Sequence, residues 1–198
     1  MKLSKGLITL LVIAGVLVII GLWAKSSYNK MVKMEEGVTS AWSNVETQYQ
    51  RRADLIDNLV ATVKGYAKHE QGTLEGVVNA RAKATAVTID PANISAEKLA
   101  EFQNAQGDLT NALGKLLMIQ EQYPDLKANQ NFLELQAQLE GTENRITVAR
   151  QKFNEAAQMF NTQIRLFPRN MIAGLFGFER KAYFEAQEGA ESAPKVEF

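Results

Sequence analysis

The chain has 198 residues, with 22 Lys and Arg against 22 Asp and Glu, so its formal net charge is zero when the single His is neutral. That balance argues against a dedicated nucleic-acid binder, which would carry a basic excess. The sequence has no cysteine, which excludes disulfides, thiolate metal sites, a Cys nucleophile and an acylated lipoprotein Cys, and one His cannot build a His-based metal cluster.

After a short flank of residues 1–5, residues 6–24 read GLITLLVIAGVLVIIGLWA, uncharged and almost wholly apolar. As a helix this segment is roughly 28 Å long, about one hydrocarbon core. Lys2 and Lys5 precede it, Trp23 closes it, and Lys25, Lys30 and Lys33 follow, as expected at membrane interfaces. A cleaved signal peptide would be shorter and would end on small residues, where this chain has Leu22-Trp23-Ala24. The segment is therefore expected to be an uncleaved single-pass anchor. Lys2, Lys5 and the start amine balance the three lysines of the other flank, so the positive-inside rule gives no orientation.

Residues 25–184 are expected to form a helical bundle. One heptad row reads Trp42, Tyr49, Ile56, Val63, Glu70, Val77, Ala84, and its companion Val38, Val45, Arg52, Leu59, Tyr66, Thr73, Ala80. Lys25 to Ala86, if continuous, is a rod of roughly 90 Å. A break near Gly65, Gly72 or Gly76 that folds the rod back is the alternative. Asp90-Pro91 marks a loop, and Ser95 is the expected N-cap of a second helix, Glu97 to Tyr123, that ends before Pro124. A third helix, Gln130 to Phe167, carries the row Phe132, Leu139, Ile146, Phe153, Phe160, Phe167. Met171 to Phe184 is expected to be a shorter helix, and residues 185–198 a flexible acidic tail. The fold class is all-α: a transmembrane helix leading into an antiparallel bundle of three long helices plus a short fourth.

Several separated motifs resemble the LemA family of bacterial membrane proteins. They are Gln50-Arg51-Arg52 with Asn58-Leu59-Val60 and the run Lys64 to Glu70, then Tyr123 to Asn129 (YPDLKAN), then Leu139 to Ile146 (LEGTENRI), and finally Ala149-Arg150, Asn154, Asn161 and Phe167-Pro168. Two departures stand out: Asp57 where the family usually has proline, and Phe153-Asn154 and Phe160-Asn161 where it often has Tyr-Asn pairs. The resemblance implies a helical bundle on an N-terminal anchor in a bacterial inner membrane, without established enzymatic activity. Some members are encoded beside membrane metalloproteases, which suggests a role in membrane complexes. The soluble part is expected on the periplasmic face.

The residues themselves carry little catalytic chemistry. His69-Glu70 begins like a zinc-binding HExxH, but position 73 is Thr, and a lone His cannot supply the two Glu-x-x-His motifs of a di-iron bundle. No GxSxG or GxxxxGK[ST] is present. Asp125 reads as a turn carboxylate. No catalytic residue, cofactor or metal is expected.

Four interaction features remain. If helix one is a rod, the shorter returning helices leave Val38, Trp42, Val45 and Tyr49 as an uncovered stripe, an expected interface for self-association or a partner. If helices one and three run parallel with level far ends, an offset of about 80 residues pairs Glu70 with Arg150. Arg165, Arg169, Arg180 and Lys181 surround apolar residues from Phe167 to Phe178, a pattern of interfacial helices, although that topology places the segment far from the anchor and favours a core cap or protein contact. The terminal Val196-Glu197-Phe198 suits a PDZ-type partner, such as one on a membrane protease, through Val196 and Phe198. A homo-oligomeric scaffold and a tail-presenting adaptor are thus the two expected functions.

Overall fold

The apolar N-terminal segment and the first bundle helix are one uninterrupted helix, α1 (Lys5–Tyr66). The structure is a computed structural model that describes residues 5–67 and 69–185. The apolar half of α1 is bare: Leu10, Leu17 and Ile19 are all more than half exposed. From Ser27 onward one face is covered, with Met31, Val38, Trp42, Val45, Ile56, Leu59 and Val63 buried at the 3–4 spacing that keeps one side of a helix against a core.

The chain reverses between the end of α1 at Tyr66 and the start of the next helix at Gln71, so the folded-back alternative is the one that forms. α2 (Gln71–Ala86) runs back along the distal half of α1. Arg81 of α2 donates Nε–H to the Ala53 carbonyl (3.0 Å) and pairs with Asp57 (2.5 Å). Asp57, where the family usually has proline, thus lies inside a continuous helix and ties it to α2. The following loop buries Ile89 and Ile94 in the core.

α3 (Ala96–Met118) is capped by Ser95, whose Oγ accepts the Lys98 N–H (3.2 Å), as expected from the sequence. It ends before Tyr123, tightening into a 3-10 turn (Ile119–Gln122). α4 (Pro124–Lys127) is a single turn opened by proline at a position whose missing N–H costs nothing. Asn129 caps α5 (Gln130–Arg165), its Oδ1 accepting the Phe132 N–H (2.9 Å). α6 (Arg169–Phe176) ends at Gly177, which adopts φ 74°. The expected helix to Phe184 does not form: residues 178–185 are an extended strap.

Because the first long helix divides in two, the bundle has four main helices where three were expected, and the parity of the returning helix changes. α1, α2, α3 and α5 make an up-down-up-down bundle. α5 is antiparallel to α1, not parallel: Asn129 meets Tyr66, Glu143 meets Arg52, Phe153 meets Trp42, and after α5 Phe176 meets Tyr28. All regular structure among the described residues is helical.

Candidate functional site

Two apolar cores fill the bundle. The membrane-side core holds Met31, Trp42, Phe102, Phe153 and Phe160; the distal core holds Ile56, Leu59, Leu109, Leu116 and Phe132. Between them sits a polar layer built on Arg52. Its side chain is only 2% exposed, and its guanidinium donates to the Glu143 carboxylate (2.7 Å), Thr110 Oγ1 (3.3 Å) and both the side-chain and main-chain oxygens of Gln106. Gln106 donates onward to the Ala84 carbonyl (3.3 Å). One network therefore touches α1, α2, α3 and α5. A buried charge needs such compensation, and its directional bonds fix helix register. The Arg52 guanidinium lies 5.2 Å from the centre of the Tyr49 ring. Burial raises the Tyr49 pKa above its ordinary value, against the opposing pull of Arg150 and Arg52.

The layer opens to one side. The backbones of α3 and α5 stay apart, and between them runs an open groove of about 1010 Å³. Gly107, Asn111 and Gly114 of α3 and Glu140, Glu143 and Arg150 of α5 form its walls, with Tyr49 and Arg52 at its floor. A Cβ added at Gly107 or Gly114 would meet nothing within 4 Å.

The strap enters this groove at one end. Asn161 accepts the Lys181 N–H (2.9 Å) and donates to the Lys181 carbonyl (2.8 Å). Asn154 does the same for Phe184, at 2.9 Å in both directions. Seven helical residues rise about 10.5 Å and three extended residues about 10 Å, so the two ladders match. The Lys181 ammonium is buried, paired with Glu35 (2.7 Å) and bonded to the Ala92 carbonyl. Phe184 covers Trp42 with its ring stacked at 5.9 Å, and Arg150 lies 4.6 Å over the outer face of Phe184. At the groove mouth the Glu185 carbonyl accepts from Arg150 (3.0 Å) and Gln103 (3.2 Å).

These positions correct two expectations. Val38, Trp42 and Val45 are fully buried and Tyr49 is 8% exposed, so the stripe is covered by α5, the start of α3 and the strap and offers no surface to a second chain. Glu70 and Arg150 are not paired. Glu70 sits at the distal reversal and accepts from Tyr123 Oη (3.2 Å), while Arg150 faces the strap. Burial and the Glu70 carboxylate raise the Tyr123 pKa. The buried pair is Arg52–Glu143 instead. Arg52 stands in an apolar row of the first helix, and Gln106 likewise falls in the row Leu99, Gln106, Leu113 of the second; that shared anomaly was the available signal. Asn154 and Asn161 each follow a core Phe at a seven-residue interval, a signal for the strap that the rows alone did not convey. Val196 and Phe198 lie outside the described residues, as does nearly all of the expected tail.

No group of three or more His, Asp or Glu comes together as a metal site among the described residues. The LemA family model matches residues 41–198, which includes the polar layer, the groove and the strap. The chain belongs to the LemA family. It is similar to the magnetosome protein MamQ 2 of Paramagnetospirillum magneticum, 27% identical over 210 residues, covering 96% of this chain and 77% of that one. It is also similar to MamQ of Magnetospirillum gryphiswaldense (28% identical; 83% of this chain, 67% of that one) and to the protein LemA of Metamycoplasma hominis (24% identical; 81% and 69%). At 96% coverage the first match extends into the apolar helix. These relatives and the bare apolar half of α1 indicate a membrane-associated helical protein.

Proposed function

We propose that this family member is a non-enzymatic, single-pass membrane interaction protein that holds a helical bundle rigidly above the bilayer and presents the α3–α5 groove to a membrane partner. The observation that carries this reading is the continuity of α1: the bare apolar segment and the buried core are parts of one helix, so the bundle cannot swing freely on its anchor. The groove supports it, since an open channel with mixed polar and apolar walls and two unobstructed glycines accommodates another helix or peptide. A homo-oligomer remains part of the proposal, through the groove or the apolar segment and not through the Trp42 stripe. The inner membrane of a bacterium and the periplasmic face are the proposed setting. A phosphatase fused after Phe198 would be active in that orientation and inactive in the opposite one.

The test is a photo-crosslinking residue placed at Asn111 in the full chain within native membranes, with Glu75, exposed on α2, as the control. Discrete crosslinked species from Asn111 and none from Glu75 support the reading. Silence at Asn111, with the protein folded and membrane-bound, contradicts it. The strap favours a second reading, an adaptor presenting its C-terminal segment, because it holds the chain at the groove mouth as far as Glu185. Deleting residues 194–198 would abolish partner capture in that case and leave it intact in the first.

A further inference from the structure

We infer that α6 and the turn before it form a second membrane contact, a foot that rests in the interfacial layer of the same bilayer that α1 crosses. The inference rests on the proposed transmembrane placement of α1. The antiparallel return of α5 brings the chain back to its anchor: the Phe176 ring packs on Tyr28 at 4.8 Å and Phe178 at 5.6 Å. Tyr28 lies four residues beyond Ala24, the end of the apolar run, and so about 6 Å further along α1. The polar layer on each side of a hydrocarbon core is roughly 5–8 Å thick, so Phe176 is level with lipid headgroups. Ser27 and Met31 are already buried at this height, so the foot meets α1 directly above the membrane segment.

α6 turns Ile172 and Ala173 inward, 7% and 3% exposed. On its outer side and in the preceding turn, Phe167 is 81% exposed, Leu175 79%, Met171 67% and Phe176 58%. So much bare aromatic and aliphatic surface within ten residues is unfavourable in water and suited to a headgroup–acyl boundary. Arg165 and Arg180 flank it, both exposed and in no ion pair among the described residues, with Lys25 and Lys30 exposed on α1 nearby. Guanidinium groups beside an apolar face at headgroup depth match an anionic bilayer surface. The occupant is therefore lipid, and the foot fixes the rotation of α1 as well as its depth.

The chain has no cysteine, so single nitroxide labels can be placed without background. Leu175→Cys, Val12→Cys and Met118→Cys variants of the full chain would be reconstituted in phosphatidylethanolamine–phosphatidylglycerol vesicles. Collisions of each label with oxygen and with a water-soluble nickel chelate report its surroundings. Met118 is exposed at the distal end of α3 and serves as the aqueous reference. The expected result is that the Leu175 label, like the Val12 label, collides more with oxygen and less with nickel than the Met118 label. A lipid-like Val12 with a water-like Leu175 would overturn this inference alone. A water-like Val12 would overturn the transmembrane reading beneath it. Spin–spin broadening at Leu175 that disappears on dilution with unlabelled protein would mean that a second copy covers the foot, and would overturn the lipid assignment.

Discussion

Arg52 is the residue on which the interior turns, yet its partner should matter more for stability. The Glu143 side chain is 46% exposed, so when Arg52 is removed Glu143 can hydrate. Removing Glu143 leaves a buried guanidinium with neutral partners only. Glu143→Ala is expected to cost about 3 kcal/mol, while Arg52→Met costs about 1 kcal/mol, chiefly from the Gln106 side-chain oxygen left unpaired. Urea denaturation of the two variants checks the order. Tyr49, beside this layer, gives a pH dependence. Its folded pKa lies above the unfolded value of 10.0. Above that pH the unfolded chain loses the proton before the folded one, so the unfolded state binds fewer protons and stability falls as pH rises. Below it the contribution is fully present. Tyr49→Phe is expected to flatten the alkaline fall in melting temperature, while a slope unchanged by the substitution would assign that fall to other groups.

At the scale of elements, the strap and the end of α6 can be tested at three residues. Asn161 is 3% exposed and serves both backbone groups of Lys181. Asn161→Ala would leave both groups unpaired, at about 2 kcal/mol, and hydrogen exchange at the Lys181 and Phe184 amides should quicken together. The two glycines of this region should respond in opposite directions. A Cβ at either would meet nothing within 4 Å. Gly174 lies inside α6, where alanine is the better helix former, so Gly174→Ala is expected to stabilise by up to ~1 kcal/mol. Gly177 holds φ 74°, where alanine is strained, so Gly177→Ala is expected to destabilise by about 1 kcal/mol. Thermal melts of the pair decide this. Much at this scale was legible from the chain: Ser95 caps where a cap was expected, and Pro124 and the Phe132–Phe160 row bound α4 and populate the core. The reversal between Tyr66 and Gln71 was only half legible: the glycines offered a break, but the heptad rows run on through it, and Tyr66 and Val77 keep the rhythm on either side, so periodicity could not choose between rod and fold-back. The strap was hidden for a related reason. Phe178 and Phe184 look like helical core residues when only apolar spacing is read, whereas the backbones of Lys181 and Phe184 are held by side-chain amides on another helix.

For the whole molecule, that single turn decides the topology. It adds a helix, makes α5 antiparallel to α1, separates Glu70 from Arg150, covers Trp42 and Tyr49, and brings α6 to the anchor. Membrane association, fold class and family were legible because composition and separated motifs carry them; the site was not, because it depends on which helices face each other. The central claim is that the chain closes back on its own anchor. Spin labels at Lys30 on α1 and Met171 on α6, in the full chain in detergent or bilayer, measure this directly by pulsed dipolar spectroscopy. Closure predicts a short distance, since Tyr28 and Phe176 are in ring contact at 4.8 Å. A distance on the order of 50 Å, the length of α1 between Lys30 and Tyr66, would place α6 at the distal end and contradict the account.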